Sequence, residues 1–138
     1  MATNCFSQKK YNKILTSLDS DLKKYEKIAQ DIWSFAEMGY QEENSSNLLQ
    51  KTLNDEGFKV SKGVAGIPTA FVADYNRGGS VIGILGEYDA LPGLSHTTST
   101  KKTKREGTNS GHACGHNLFG VASAAAVSYT HLTLPTNC

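Results

Sequence analysis

From Tyr11 to Ala36 the apolar residues Ile14, Leu15, Leu18, Leu22, Tyr25, Ala29, Ile32, Trp33 and Ala36 recur three to four apart, and beyond Gly57 that spacing gives way to short runs. This switch of period constrains the fold most, because three-to-four spacing lines one face of a helix, whereas alternation and brief apolar runs mark strands. The first stretch predicts a helix, with Ser20 and Asp21 as a point where a new N-cap could divide it and Gly39 as its end. Glu42 to Glu56 predicts a second helix, since Leu48, Leu49 and Leu53 share a face and Gly57 stands where a left-handed C-terminal cap is wanted.

Strands are predicted at Phe58 to Val64, at Ala70 to Ala73 and at Val81 to Leu85. Asn76-Arg77-Gly78-Gly79 separates the last two, which predicts an antiparallel hairpin over residues 69 to 87. The third run is apolar on both parities and predicts a central strand covered on both faces. The polar stretch Ser95 to Gly111 is long enough to be either a functional loop or partly disordered. An Ala-rich helix follows from His116, stopping at Ser128 or Tyr129. The elements define an α/β layer, but three strands are few for a self-sufficient sheet, so an exposed apolar edge is expected.

In 138 residues, 14 Lys+Arg stand against 13 Asp+Glu, a net charge of +1 that argues against a polyphosphate-binding basic protein or an acidic solvating tail and says little else about partners. Lys101 to Arg105 reads as a solvated loop face rather than a nucleic-acid reader. No apolar run approaches the roughly 18 to 20 residues that span a bilayer. Met1 to Lys10 lacks the apolar stretch and cleavage site of a secretory signal, so the cytoplasm is the expected compartment. Cys5, Cys114 and Cys138 are odd in number and scattered, which suits reduced thiols better than disulfides, and Cys5 needs no role.

Chemistry concentrates in Gly111-His112-Ala113-Cys114-Gly115-His116-Asn117, which crowds two imidazoles and a thiol into five positions. Helical residues two apart point about 200° away from each other, so Cys114 and His116 could share an ion only from a tight turn, which Gly111 and Gly115 permit. The N-terminus of the following helix would help hold Cys114 as thiolate. Upstream, Glu87 and Asp89 lie just past the third strand, where α/β folds build sites. Asp89 is the better candidate, to bind a cation or to fix the tautomer of a ligating histidine, whereas Glu87 reads as a turn former. His112 is as well suited to hydrogen-bonded support as to ligation, and His96 reads as solvated. The plain alternative is a buried thiol beside surface histidines.

Gly-Glu-Tyr-Asp-Ala-Leu-Pro-Gly at 86 to 93 and Gly-His-Ala-Cys-Gly-His-Asn at 111 to 117 together resemble the aminoacylase and carboxypeptidase type of dinuclear-metal peptidases, in particular its amidohydrolases. Glu37 to Glu42 and Gly57 to Val60 resemble the opening helices of that family, and the likeness covers about residues 10 to 127. It implies a partial three-layer α/β/α, zinc-peptidase-like catalytic domain, truncated, over residues 1 to 127. Residues 128 to 138, with His131 and Cys138, resemble nothing in the family and are expected to be a tail without a role.

The resemblance further implies Cys114 and His116 as metal ligands, Asp89 as the catalytic aspartate beside the metals, and His112 and Glu87 as supports. Many relatives carry a ligating histidine where this chain has Glu87, and other branches have aspartate at Asn117. Two divalent ions, zinc or manganese, are implied for a complete site, as are a small-molecule amide substrate and a homo- or hetero-oligomer. The family's general-base glutamate and remaining ligands fall outside the matched motifs, so the chain alone is expected to be inactive. A thiol hydrolase using Cys114, or a noncatalytic metal-binding module, are the competing readings.

Overall fold

In the computed structural model, residues 3–76 and 78–133 are described. Three helices, α1 (Thr3–Phe35), α2 (Glu43–Asp55) and α3 (His116–Thr133), are combined with short strands β1 (Lys59–Lys62), β2 (Phe71–Asp74), β3 (Leu91–Pro92) and β4 (Ser110–Gly111). The arrangement is mixed α/β, as expected of a partial α/β domain. No described helix is long and apolar enough to cross a membrane. Cys138 lies outside the described residues.

Tyr25, Ile28, Ala29 and Ile32 of α1, spaced to share one face, meet Leu49 and Leu53 of α2 and Val121, Ala124 and Tyr129 of α3 in a single core. Ile32 is fully enclosed. The same stripe continues toward the N-terminus as Leu15, Leu18 and Leu22, but these are exposed. Tyr129 of α3 reaches this part of α1, its hydroxyl 3.0 Å from the Ser17 carbonyl and 2.8 Å from Asp21. Burial, and then Asp21, push its phenol up to about 12.

α1 is not divided at Ser20, whose hydroxyl donates back to the Ser17 carbonyl within the helix instead of capping a new one. Nor does Gly39 end it. The helix stops at Phe35 with Ala36 in the left-handed region (φ 48), and its final carbonyls are taken by residues far along the chain. Arg105 stacks 4.7 Å over Trp33 and donates to the Trp33 and Ser34 carbonyls, while the Ser110 hydroxyl donates to the Ala36 carbonyl. A fixed positive charge at a helix C-terminus also interacts favourably with the negative end of the macrodipole. The polar loop is therefore anchored, closed by the antiparallel β3–β4 pair, and Arg105 departs from the solvated face expected of its basic run. At its far end α3 passes Ser128 and continues to Thr133, so the expected stop is corrected: Ser128 bonds back to Ala124 and Tyr129 is held by the core.

α2 follows the sequence closely. Gly57 is left-handed (φ 88), the Phe58 amide reaches the Leu53 carbonyl and the Gly57 amide reaches that of Asn54, a Schellman end sealed by Phe58 in the core. The start is capped by a residue outside it. The Glu37 carboxylate accepts the Asn44 amide at 2.9 Å, the Ser45 amide at 2.8 Å and both their side chains. Burial opposes ionisation of Glu37, but the bonds from Ser45 and Asn44 outweigh it and hold its carboxyl below the usual value. A depressed folded-state pKa contributes stability above the unfolded glutamate pKa, near 4.3, and loses it as pH falls through the folded value. Glu37→Gln is expected to cost about 1 kcal/mol at pH 7, within the range for a lost N-cap, and less near about pH 3; urea unfolding at both pH values measures it.

The expected hairpin over 69–87 does not form. β2 pairs with the preceding β1 in antiparallel register, Lys59 opposite Asp74 and Lys62 opposite Phe71, through a turn with Gly63, Ala65 and Gly66 at positive φ. At the predicted turn the Asn76 side chain takes the Gly78 amide at 2.7 Å, and Gly78 and Gly79, both at positive φ, lead the chain off the sheet. Among the described residues Val81 to Leu85 has no strand beside it, and it is exposed, Val81 at 94%. Apolar residues on both parities need cover on two sides, and the described residues supply only α3, whose Ser123 hydroxyl holds the Leu85 carbonyl at 2.7 Å.

Candidate metal centre

Past Leu85 the chain lies across the first turns of α3. A side chain at Gly86 would press on Gly120 and Ser123, and a Cβ at Gly120 would lie 2.6 Å from the Glu87 carbonyl, so two glycines let this extended segment and the helix touch. Alternation then sorts Glu87, Tyr88 and Asp89. Tyr88 turns toward α2 and β2, stacking on Phe71 with centroids 6.0 Å apart and donating its hydroxyl to the Thr69 carbonyl at 2.5 Å. Burial raises its phenol above the ordinary value. Glu87 and Asp89 turn the other way, to His116 at the head of α3. The Ala90 amide closes the segment on the Glu37 carbonyl at 2.7 Å, and Ala90 bridges Met38 in parallel.

His116 Nδ1 lies 2.7 Å from Asp89 Oδ1, and Nε2 lies 2.9 Å from Glu87 Oε2. One ligand atom from each of the three residues falls within 4.8 Å of the others, the one such grouping of ligating side chains among the described residues. The imidazole is mostly shielded, and Glu87 is half exposed.

The turn before α3 forms as its glycines suggest. Gly115 sits at φ 81, its amide on the His112 carbonyl, and its own carbonyl receives the Leu118 and Phe119 amides. A Cβ on Gly111 would collide with the Leu94 carbonyl. Cys114 is exposed at this turn as a free thiol and stands outside the group formed by Glu87, Asp89 and His116. His112 is buried with Nε2 3.1 Å from the Ile32 carbonyl, and burial pushes its pKa below the ordinary histidine value. It braces the turn against α1, as does Asn117, whose amide nitrogen donates to the Ala29 carbonyl at 3.1 Å. His96 is turned onto the Leu94 carbonyl and the edge of Trp33.

Sequence reading singled out Asp89 and His116, which the structure brings together, and Cys114, which it leaves apart. Glu87, read as a turn former, completes the group. Tyr88 and Glu37 belong to motifs quoted for the family resemblance, but the sequence gives neither a role of its own; the alternation Glu-Tyr-Asp is the available signal for Tyr88, whereas nothing local marks Glu37 as a cap.

No protein-family model matches the chain. Among curated proteins, the relatives bear the names of hydrolases and peptidases. It is 40% identical over 120 residues to one of the subunits of p-aminobenzoyl-glutamate hydrolase from Escherichia coli, a match covering 86% of this chain and 25% of that protein. It is 33% identical over 109 residues to thermostable carboxypeptidase 1 of Saccharolobus solfataricus, covering 75% of this chain and 27% of the other. Human Xaa-Arg dipeptidase is 33% identical over 112 residues, 72% of this chain and 22% of that one. The chain belongs to the aminoacylase and carboxypeptidase type family of amidohydrolases and peptidases. It spans about a quarter of the length of the curated relatives it matches.

Proposed function

We propose that the chain carries part of the active site of a metal-dependent amidohydrolase that cleaves the amide bond of an N-acyl or aminobenzoyl amino acid, or of a small dipeptide. The observation that carries this reading is the Asp89–His116 pair at the head of α3, with Glu87 on the second imidazole nitrogen. The donor set suits a divalent ion: an imidazole whose Nδ1 proton is fixed by a carboxylate keeps its Nε2 lone pair aimed outward, the usual arrangement at metal-binding histidines. His116 is the residue we assign to hold the metal and Asp89 orients it; Cys114, outside this group in the structure, is kept as a second ligand on the family resemblance alone, and zinc and manganese both suit these donors, with two ions in a complete site. When bound, such an ion supplies Lewis acidity to an amide carbonyl and acidifies a water molecule. His112 and Asn117 keep the ligand turn seated on α1.

The names of the relatives support the substrate class, and the word subunit in one of them supports work within an oligomer. We retain a cytoplasmic setting on the reduced-thiol pattern and assign residues 1–127 to the catalytic domain. The boundary with 128–138 is one of resemblance, since Tyr129 packs in the core. The thiol-hydrolase alternative is less favoured, because no hydrogen bond among the described residues joins Cys114 to either imidazole. Titration of the chain with Zn²⁺ or Mn²⁺ by calorimetry tests the proposal. His116→Ala is expected to weaken binding at least about tenfold without turnover by either protein; equal affinity sinks the metal assignment.

A further inference from the structure

His116 places each ring nitrogen against a different carboxylate. Asp89, the more shielded acid, meets Nδ1 at 2.7 Å, which leaves Nε2 as the nitrogen that the metal reading above gives to the ion. A Glu87 carboxylate oxygen lies 2.9 Å from Nε2. With metal–donor bonds of about 2.1 Å, two atoms at that separation can both bind one cation set to the side of the line joining them.

The position of Glu87 is built rather than incidental. Its carbonyl lies against Gly120, whose missing side chain makes the approach possible, and the next residue is locked to the opposite side by the Tyr88 bond to Thr69. Two residues on, Ala90 is tied to Glu37. The backbone carrying Glu87 is thus fixed at both ends of a four-residue span, while the side chain itself is half open to solvent, as access for an ion requires.

Resting on the metal-site reading above, we infer that Glu87 is itself a metal ligand, sharing with His116 Nε2 one divalent cation that Asp89 contacts only through the histidine. This gives the position an oxygen donor next to the nitrogen, a harder pairing than thiolate and imidazole, and it favours manganese relative to zinc.

The test uses the intact chain and the metals alone. Zn²⁺, Mn²⁺ and Co²⁺ affinities are measured for the wild-type chain, Glu87→Gln, Cys114→Ser and His116→Ala, with thermal melting of each metal-free protein. Glu87→Gln keeps the shape of the side chain and is expected to lose at least about tenfold in Mn²⁺ affinity, with a smaller loss for Zn²⁺ and an unchanged melting temperature. It should also alter the visible spectrum of the Co²⁺ form. Wild-type affinity in Glu87→Gln while His116→Ala is impaired would overturn the role of Glu87 and leave the metal site standing. Wild-type affinity in both would remove the site itself. Should Glu87→Gln melt lower, Glu87→Asp, which keeps the charge on a shorter arm, must recover part of the Mn²⁺ affinity or the inference fails.

Discussion

Gly120→Ala is expected to destabilise the chain by about 2 kcal/mol or more, the reverse of what helix propensity predicts. In a helix interior alanine is favoured over glycine by about 1 kcal/mol. Here the added Cβ would lie 2.6 Å from the Glu87 carbonyl, a backbone atom, and 3.4 Å from both Leu49 and Tyr88. Relief requires either the 86–90 segment or the helix to move. The segment is held by the Tyr88 hydroxyl on Thr69 and by the Ala90 amide on Glu37. The helix is held by Val121 and Ala124 in the core and by Asn117 on the Ala29 carbonyl. Overpacking that cannot relax costs about 1 to 3 kcal/mol and occasionally more, and a backbone obstacle places this site at the upper end, so the clash exceeds the propensity gain. Any displacement of that segment also draws Glu87 and Asp89 off His116, so divalent-ion affinity should fall with stability. Ala122→Gly, at an exposed position of the same helix, is the control: it loses propensity alone, about 1 kcal/mol, and should leave metal affinity unchanged. Urea unfolding and calorimetry read both effects, and a neutral or stabilising Gly120→Ala would show that the 86–90 segment and the helix are free to part.

The same contacts explain what could be read along the chain. α2 was legible because its determinants are local: three leucines on one face and a glycine for a left-handed end. α1 was legible as a helix but not in its end, since the residues that take its last carbonyls, Arg105 and Ser110, lie far away in sequence and no spacing rule links them. Strand pairing failed for a related reason. Alternation at Phe71 to Asp74 declares a strand without naming its neighbour, and the glycines at 78 and 79 fit a hairpin turn equally well as an exit from the sheet. Ala65 at φ 54 sits in the turn actually used, a conformation that a search for glycine or asparagine passes over. At the site, the ligand chemistry of His116 and Asp89 is written in their residue types, whereas Glu87 becomes a third member only once Tyr88 fixes which face it takes.

Asn117→Asp should be more damaging than its near-identical shape suggests, at about 3 kcal/mol near pH 7. Asn117 is buried on the first turn of α3, and its amide nitrogen is the donor to the Ala29 carbonyl. An ionised aspartate there has no hydrogen to give and sets a carboxylate oxygen against a carbonyl oxygen. A negative charge near a helix N-terminus gains about 0.3 to 1 kcal/mol from the macrodipole. Desolvating an unpaired charge and losing the bond cost more, about 1 to 3 kcal/mol for a neutral unsatisfied group and above that for a charged one, so the penalty wins. Asn117→Ala separates the two contributions. It removes the donor without adding charge, and because the Ala29 carbonyl keeps the Trp33 amide of its own helix, the loss should be only about 1 kcal/mol. The aspartate penalty also carries a pH signature. A buried, unpaired carboxyl has its folded-state pKa raised, so the destabilisation is full above that raised value and fades below the unfolded aspartate pKa, near 3.9, where the protonated acid can again donate to Ala29. Chemical unfolding of both variants from about pH 4 to 8 should therefore show the Asp curve converging on that of Asn at the acid end while the Ala offset stays constant. Because α3 begins one residue earlier with His116, the aspartate variant should also shift the imidazole relative to Asp89 and weaken Zn²⁺ binding. An Asp variant as stable as Ala at every pH would mean that the bond to α1 does not seat the metal-binding turn.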